Sequence, residues 1–391
     1  MRKEKRYVLL KKNKIKQKKR TKIVIGITVP FTLIVLLAMA FILPVVVSFY
    51  NNSYVEVAIV DRSDVYVRPE MDEQPSGWED ITLSEDEMYS DVTEEAETLP
   101  DNVSSGDYNN YDGSNSFGSS ANAINVYGRT PIYRVEQKDP DVINVLVLGT
   151  DSRDVTRERG RSDAIIILSY NKKTDKVKMV SVLRDSLVPI ESHGWNRINA
   201  AYSFDGVGLA VNTVNEIFDL DIQRFVVIDF NGVKNFTDEV GGVDIELTAA
   251  EAKYFNSTKL FETPIQEGCH HLNGAQVLEY MRIRKIDSDF VRTSRQQKVI
   301  QAMSDKILAE KTIPEMYDLA YFAFQITKTN IPLAELTSII SALGDKQGGI
   351  HFDTQHVPFD GAYSYKRYNG MSIISFDIDD AAARINDFIY S

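Results

Sequence analysis

The sequence predicts an α/β protein, a three-layer α/β/α sandwich with a central mixed sheet, preceded by one transmembrane helix. Two observations support this prediction. Short continuous runs of Val, Ile and Leu alternate with helix-like segments, a pattern typical of central strands that are covered on both faces. Ahead of them lies an apolar run of 27 residues without a charged side chain, residues 23–49.

The amino-terminal end has the composition of a membrane anchor. Residues 1–22 carry twelve Lys or Arg and one Glu, whereas the rest of the chain carries 32 basic and 55 acidic side chains. A membrane span needs about 20 apolar residues, a cleavable signal sequence has a shorter apolar core, and a Lys/Arg excess marks the cytoplasmic side. We therefore expect a single-pass protein of the cell membrane, with a basic cytoplasmic tail (1–22), a transmembrane helix (23–49) and an extracellular remainder. So short a tail cannot form a DNA-reading domain, and no nucleic-acid partner is expected.

An acidic stretch follows the predicted span. Residues 61–123 hold seventeen acidic side chains, two arginines and no lysine, and their later part is of low complexity. Such a composition buries too little apolar surface to offset the entropy lost on ordering. Residues 50–124 are therefore interpreted as an extracellular stalk, with one short strand at Tyr54–Val60, and the α/β domain is expected over residues 125–391.

The elements of that domain follow from its hydrophobic pattern. Val/Ile/Leu-rich runs predict strands at Ile143–Gly149, Asp163–Tyr170, Val177–Val182, Arg224–Asp229 and Val243–Leu247. Helical patterns lie at Ala200–Phe218, Val233–Val240, Gly274–Arg282, Val291–Ala309, Ile313–Ile326 and Leu333–Leu343, and a last helix follows the capping aspartates Asp379 and Asp380.

Two aspartates stand at strand ends. Asp151 follows the first strand of the domain by two residues, and Asp163 opens the next. Ligands of open α/β sheets bind where loops converge beyond the strand ends, so neighbouring strands would bring the two carboxylates together. Paired carboxylates without His or Cys suit a hard cation such as Mg²⁺, which completes its shell with water and substrate phosphate.

Arginines cluster in the same regions. Arg161 lies on the loop before Asp163, and Arg184 ends the third strand. The segment "YMRIRKIDSDFVRTSRQQ" adds further candidates, namely Arg282, Arg284, Asp287, Asp289, Arg292, Arg295 and Gln296. On a helix Arg292, Arg295 and Gln296 share a face, whereas Arg282 and Arg284 share one only in an extended segment. Guanidinium groups bind phosphate oxygens in pairs and stay charged, so this set predicts a pyrophosphate site.

Other interpretations were weighed against this one. Ordinary surface ion pairs explain any single arginine, but a set clustered at strand ends favours a site. The sequence has no G-x-S-x-G, Walker A or H-E-x-x-H motif. The one cysteine excludes an intrachain disulfide framework, and Cys269-His270-His271 is interpreted as part of a loop rather than as metal ligands. The apolar helices could pack a core or line a tunnel for a lipid tail.

From about Ile132 to Met303 the chain resembles the LytR–CpsA–Psr family of Gram-positive cell-envelope proteins. The resemblance rests on several ordered segments, namely "DPDVINVLVLGTDSR", "RSDAIIIL", "VSVLRDSLV", "RINAAYSFDG", "DFNGVKNFTDEVGGVDIEL", "LNGAQVLEYMRIR" and "DSDFVRTSRQQ". It implies an Mg²⁺-dependent phosphotransferase that moves a glycopolymer from a polyprenyl-pyrophosphate carrier onto peptidoglycan, forming a phosphodiester and releasing polyprenyl phosphate.

The resemblance also implies roles for individual residues. Asp151 and Asp163 would hold Mg²⁺, and the pyrophosphate would be bound by Arg161, Arg184, Arg282, Arg284, Arg295 and Gln296. Arg161, Arg184, Asp289 and Arg292 would act in catalysis. Two alternatives stay open at this point, a non-catalytic membrane-anchored binder or regulator of lipid-linked envelope precursors and a polyprenyl-pyrophosphate hydrolase. The sequence leaves the polymer and the general base undetermined.

Overall fold

The computed structural model describes residues 49–62, 78–90, 130–151, 160–284, 286–344 and 350–391. The chain divides into two compact units, Met1–Asn51 and Asn52–Ser391, and every strand and α-helix named below lies in the second. No helix among the described residues is long and apolar enough to cross a membrane. The predicted tail (1–22) and, except for Phe49, the predicted span (23–49) lie outside the described residues.

The second unit alternates strands and helices along most of its length. The strands are β1 (Ile59–Val60), β2 (Trp78–Leu83), β3 (Ile132–Tyr133), β4 (Val142–Thr150), β5 (Ser162–Asn171), β6 (Lys176–Val182), β7 (Leu187–Ile190), β8 (Gly194–Arg197), β9 (Arg224–Asp229), β10 (Val243–Leu247), β11 (Gly268–Leu272), β12 (Thr327–Thr329), β13 (Phe352–Val357), β14 (Tyr363–Tyr368) and β15 (Met371–Phe376). The helices are α1 (Glu85–Ser90), α2 (Ala200–Phe218), α3 (Phe230–Val240), α4 (Ala249–Thr258), α5 (Gly274–Arg282), α6 (Asp289–Glu310), α7 (Ile313–Ile326), α8 (Leu333–Gly344) and α9 (Ile378–Tyr390), and a π-helical turn occupies Phe49–Ser53.

The central sheet is mixed, as the sequence predicted. Its six strands lie in the order β12-β9-β4-β5-β6-β13. β4 pairs in parallel with β9, and β13 pairs in parallel with β6, whereas the β4–β5, β5–β6 and β12–β9 pairs are antiparallel. The carboxyl ends of β4 and β9 and the amino end of β5 therefore meet at one edge of the sheet, where the predicted Asp and Arg residues stand.

The two faces of the sheet are packed differently. On one face Leu146 and Leu148 of β4 are fully buried in a core that includes residues of α2 and α9. On the opposite face Val145 and Val147 are only half-buried. Because strand residues alternate between faces, this difference in burial belongs to whole faces, and the second face offers apolar surface to α3, α5 and α6.

Helix α2 is kinked near its start. Asp205 and Gly206 have non-helical backbone angles, with φ of 77° at Gly206, a left-handed value that suits glycine. The Asp205 carboxylate accepts a hydrogen bond from the Thr130 main-chain nitrogen (2.8 Å). A Cβ atom at Gly208 would lie 1.9 Å from the Thr130 carbonyl oxygen. The glycines of "GVG" thus allow the chain before β3 to cross the helix closely.

Part of the predicted stalk (50–124) belongs to the compact unit. The Val55 nitrogen donates to the Thr329 carbonyl oxygen (2.8 Å), and β1 pairs in parallel with β3. Only Ile59–Val60 of the expected Tyr54–Val60 strand is a strand. β2 joins β14 and β15 in a three-stranded sheet. The stalk interpretation is therefore wrong for these segments, while residues 63–77 and 91–129 lie outside the described residues.

Several elements were not expected from the sequence. The β7–β8 hairpin, helix α4 and strands β11 to β15 were missed. Cys269, His270 and His271 lie in β11, which pairs antiparallel with β10, so their interpretation as loop residues was wrong.

The core face of the sheet can be tested at Leu148. Replacing this fully buried side chain by Ala should lower the free energy of unfolding by about 2–5 kcal/mol, because it removes buried methyl groups and leaves a cavity. The matched control is Ile81→Ala, since Ile81 is 49 % exposed and its loss should change stability by less than about 0.5 kcal/mol. Urea denaturation of the full chain in detergent, followed by circular dichroism, measures both. Equal effects would contradict the assignment of this face to the core.

Candidate active site at the β4–β5 edge of the sheet

A bulge in the β4–β5 pairing sets the position of Asp163. Gly149 lies opposite Ala164, and the next residue of β4, Thr150, lies opposite Ser162. Asp163 is thus an extra residue on its strand, and such a bulge re-aims side chains at the end of a ladder. Asp163 and its neighbour Ala164 both line the same pocket, one as a carboxylate and the other as a methyl group.

Asp151 and Arg161 close the end of the hairpin. The Asp151 nitrogen donates to the Arg161 carbonyl oxygen (3.2 Å), and the Arg161 nitrogen donates to Asp151 Oδ1 (2.7 Å). Asp151 is exposed and Arg161 is half-buried, and neither lines the pocket. The structure therefore places both residues at the rim, on the same hairpin as Asp163.

Three arginines from separate parts of the chain converge on Asp163. Arg184 Nη1 donates to Oδ1 (2.6 Å), and Arg284 Nη2 donates to Oδ2 (3.1 Å). Arg292 Nη2 donates to the main-chain oxygen of Asp163 (3.2 Å). Only 11 % of the Asp163 side chain is exposed. A buried carboxylate with charge-assisted hydrogen bonds on both oxygens is held in one orientation.

The protonation state of Asp163 follows from these contacts. Burial raises the pKa of Asp163, but the positive charges of Arg184, Arg292 and Arg284 outweigh burial and lower it from 3.8 to about 2. The carboxylate is therefore ionised at neutral pH, and it partly offsets the mutual repulsion of the arginines.

A second carboxylate lies beside Arg184 and Arg292. Asp289 opens α6 after Ser288, which caps the helix, and a carboxylate in the first turn is favourable there. Its Oδ1 lies 2.8 Å from Arg292 Nε and 3.9 Å from Arg184 Nε. Asp185 lies 3.5 Å from Arg184 Nε and also pairs with Arg197 (3.2 Å).

These charges shift the two arginines in opposite directions. Burial lowers the pKa of Arg184, but Asp185, Asp163 and Asp289 outweigh burial and raise it. Burial lowers the pKa of Arg292, and the nearby arginines add to that effect against the attraction of Asp289 and Asp163.

Arg282 and Arg284 line the pocket from a segment that leaves the helix between them. Arg282 ends α5, and its guanidinium lies 5.1 Å from the centre of the Phe230 ring. Ile283 has non-helical angles (φ −56°, ψ 122°), so the extended arrangement that the sequence analysis required for a shared face is present at this point. Both guanidinium groups border the same pocket.

The pocket combines a charged mouth with an apolar wall. Its polar lining consists of Asp163, Arg282, Arg284, Arg292 and Gln296, and its apolar lining consists of Gly149, Ala164, Phe230, Val233, Leu278 and Met281. Phe230, Leu278 and Met281 were missed by the sequence analysis, since helical periodicity does not distinguish a core position from a pocket wall. The pocket can receive an anionic group at one end and an apolar group at the other.

Arg295 does not reach this pocket, contrary to the sequence expectation of pyrophosphate binding. Its guanidinium is 1 % exposed and pairs with Glu251 (Nε to Oε1, 2.6 Å) and with Asp287. Glu251 was missed, although it closes a capping box with Thr248 that the sequence "TAAE" displays. Of the three α6 residues expected on one face, only Arg292 and Gln296 line the pocket.

The comparisons with known proteins match this architecture. Residues 108–383 match the family described as LytR_cpsA_psr. The chain belongs to the LytR–CpsA–Psr family. It is 32 % identical over 214 residues to the polyisoprenyl-teichoic acid–peptidoglycan teichoic acid transferase TagT of Bacillus subtilis, covering 53 % of this chain and 66 % of that one. It is 35 % identical over 215 residues to TagU of Oceanobacillus iheyensis, covering 52 % and 63 %. The chain thus spans no more than two thirds of the length of these two relatives.

Solved structures agree with the fold of this LytR–CpsA–Psr protein. The crystal structure of B. subtilis TagV superposes with a TM-score of 0.52 at 25 % identity, covering 64 % of this chain and 98 % of that one. The structure of TagT bound to LI-WTA superposes with a TM-score of 0.52 at 25 % identity, covering 66 % and 95 %. These matches support the mixed α/β fold with a central mixed sheet.

The depressed pKa of Asp163 predicts a defined acid sensitivity. A carboxyl group whose pKa falls from 3.8 to about 2 on folding stabilises the protein above its unfolded pKa, and this stabilisation disappears as the pH falls through its folded pKa. The free energy of unfolding of the parent chain, relative to Asp163→Asn, should therefore shrink by about 2 kcal/mol between pH 5 and pH 2.

The measurement is a series of denaturation curves across that pH range. The exposed Asp318→Asn variant serves as the control, and its difference from the parent should stay constant. A constant difference for Asp163→Asn as well would show that its ion pairs contribute nothing to this pH dependence.

Proposed function

We propose that this chain transfers a glycopolymer from a polyprenyl-pyrophosphate carrier onto peptidoglycan, forming a phosphodiester and releasing polyprenyl phosphate. The observation that supports this most is the pocket itself. Arg282, Arg284 and Arg292 surround the ionised Asp163 at its mouth, and Phe230 and Met281 are among the side chains of its apolar wall. A polyprenyl pyrophosphate carries the same two chemistries, a charged head and an apolar tail.

The reaction is a displacement at phosphorus. An acceptor hydroxyl of peptidoglycan attacks the phosphorus that bears the glycopolymer, so a new P–O bond forms. The bond from that phosphorus to the bridging oxygen breaks, and polyprenyl phosphate leaves with the electron pair. The hydroxyl proton passes to a base or to water. Negative charge grows on the leaving phosphate, and guanidinium groups fixed in advance stabilise it without reorganisation.

The arginines divide this work by position. Arg282 and Arg284 lie at the pocket mouth in a segment between α5 and α6, with 34 % of the Arg284 side chain exposed, so they are placed to meet incoming phosphate oxygens. Arg184 and Arg292 are 7 % and 3 % exposed and act from beneath, where low water content strengthens their field. Asp163 and Asp289 orient these groups.

Asp151 and Asp163 are the proposed holders of Mg²⁺. Their chemistry fits, since both are hard oxygen donors on one hairpin and the lowered pKa of Asp163 keeps that carboxylate ionised. When bound there, Mg²⁺ would supply positive charge to the pyrophosphate oxygens. Arg161 lies beside this pair, with its main-chain nitrogen bound to Asp151.

The lipid tail is proposed to lie against the half-buried face of the sheet. Gly149 and Ala164 leave this face without large side chains at the pocket, and the half-buried Val145 and Val147 continue it along β4. Each CH₂ group moved from water to such a surface contributes about 0.8 kcal/mol. This arrangement is consistent with a carrier that stays in the membrane and with the predicted single-pass anchor.

The relatives support the same substrate class. TagT and TagU are named as transferases of polyisoprenyl-linked teichoic acid to peptidoglycan, and TagT has been solved with LI-WTA bound. The proposal carries that chemistry to this chain, with the particular polymer left open.

The deciding experiment supplies the full chain in detergent with Mg²⁺, a polyprenyl-pyrophosphate saccharide and peptidoglycan fragments, and it identifies the products by mass. Saccharide phosphate joined to the glycan supports transfer. Free saccharide phosphate alone would identify a hydrolase, and binding without turnover would identify a binder; either result contradicts the proposal.

Removing one guanidinium at the pocket mouth should slow this reaction strongly. Arg284→Ala is expected to lower kcat/KM about 10²–10³-fold, a typical effect of losing one group that stabilises transition-state charge. Arg134→Ala is the matched control, because Arg134 is 59 % exposed and pairs with Asp61, and it should leave the rate unchanged. Equal rates for both variants would remove Arg284 from the site.

The path of the lipid tail is tested by filling the apolar wall. Ala164→Leu should weaken binding of a prenyl pyrophosphate at least tenfold, about 1.4 kcal/mol, because the added side chain occupies the space beside Gly149. Affinity for inorganic pyrophosphate should not change. Ala250→Leu, at an exposed position of α4, is the control. A parallel loss of affinity for both ligands would contradict the assignment of Ala164 to the tail.

A further inference from the structure

The segment between α5 and α6 has to hold Arg284 without regular secondary structure on either side of it. α5 ends at Arg282 and α6 begins at Asp289. Fixing the backbone of one such residue costs about 1–2 kcal/mol in entropy. Arg284 must also lie close to Arg184, because both bind the same carboxylate, although the two positive charges repel each other.

A single buried guanidinium fastens both ends of this segment. Arg295 Nη1 donates to the Ile283 carbonyl oxygen (3.2 Å) and to Asp287 Oδ1 (3.1 Å). Its Nη2 donates to the second oxygen of Asp287. The contacts therefore fall immediately before Arg284 and three residues after it, and the paired hydrogen bonds to Asp287 fix the geometry as well as the distance.

The guanidinium is itself fixed from the other side. Arg295 Nε donates to Glu251 Oε1 (2.6 Å), while Glu251 Oε2 accepts from the Thr248 nitrogen (2.9 Å). Glu251 is 3 % exposed and belongs to the first turn of α4. The guanidinium also lies 5.7 Å from the centre of the Tyr280 ring of α5. α4, α5 and α6 thus hold one cation whose remaining hydrogen bonds go to the segment that bears Arg284.

We propose that Arg295 is a positioning residue, which sets Arg284 at the pyrophosphate through its contacts with Ile283 and Asp287. This inference rests on the proposed function. Direct binding of phosphate by Arg295 would require breaking its ion pairs with Glu251 and Asp287, a large cost for a cation that is 1 % exposed. Arg295 therefore contributes to affinity only while Arg284 is present.

The test is a double-mutant cycle on ligand affinity, with geranylgeranyl pyrophosphate as the probe and the full chain in detergent with Mg²⁺. Arg295→Lys keeps the positive charge and loses the planar pair of donors. We expect Arg284→Ala to weaken binding about 100-fold and Arg295→Lys about tenfold. The double variant should bind like Arg284→Ala to within about twofold, because a residue that acts through another loses its effect when that residue is gone.

Two further variants separate positioning from general loss of structure. Arg224→Lys is the matched control, since Arg224 also pairs with a glutamate, Glu335 (3.1 Å), at the opposite end of β9 from the site; it should bind the probe like the parent. Asp287→Asn leaves the Glu251–Arg295 pair in place, so it tests the same contact if Arg295→Lys does not fold. It should weaken binding about tenfold in the parent and not at all beside Arg284→Ala.

Each outcome decides between the proposals. Parent-like binding by both Arg295→Lys and Asp287→Asn overturns the positioning role alone. A further tenfold loss in the double variant also overturns it, because Arg295 would then act independently of Arg284. If the parent chain binds no geranylgeranyl pyrophosphate, the proposed function fails, and the positioning role fails with it.

Discussion

The buried carboxylate of Asp163 is the interaction on which the site depends. Arg184, Arg284 and Arg292 come from three distant parts of the chain, and all three donate to Asp163. Without that carboxylate, burying guanidinium groups so close together would be costly, because each loses its hydration and repels the others. The hairpin, the end of β6 and the start of α6 are therefore fixed relative to one another by a single ionised group.

The same constraint explains why the site can be both rigid and receptive. Asp163 neutralises only part of the positive charge around it, and Arg282 is bound to an aromatic ring rather than to an acid. The pocket mouth therefore keeps a net attraction for anions while its guanidinium groups stay ordered. Such preorganisation is what stabilises charge that develops during a reaction.

Much of the fold could be predicted because its central strands are continuous apolar runs. β4, β5, β6, β9 and β10 begin and end within two residues of their expected positions. β13 to β15 were missed because they mix Tyr, Lys, Ser and His with apolar residues, as in "YSYKRY", and gain their stability from cross-strand partners rather than from a pattern of their own.

The site was predictable at the level of residue type and only partly at the level of geometry. Asp163 and Arg284 were identified correctly as site candidates by their place at strand and helix ends. The bulge that turns Asp163 toward the pocket depends on how two strands pair, and no single strand sequence encodes that register. Helical spacing placed Arg295 with Arg292, but spacing cannot say which carboxylates a long side chain will meet, and Glu251 decides this for Arg295.

Strand β2 and helix α1 give the acidic stretch an unexpected status. Ser90 ends α1, and Thr130 contacts Asp205 of α2, so residues 91–129 leave the compact unit and return to it. A segment closed in this way pays for its length only logarithmically, about 0.6 kcal/mol for each doubling. Its composition and length are thus nearly independent of the stability of the fold, and this stretch can lengthen, shorten or accept an inserted reporter while the catalytic geometry stays as it is.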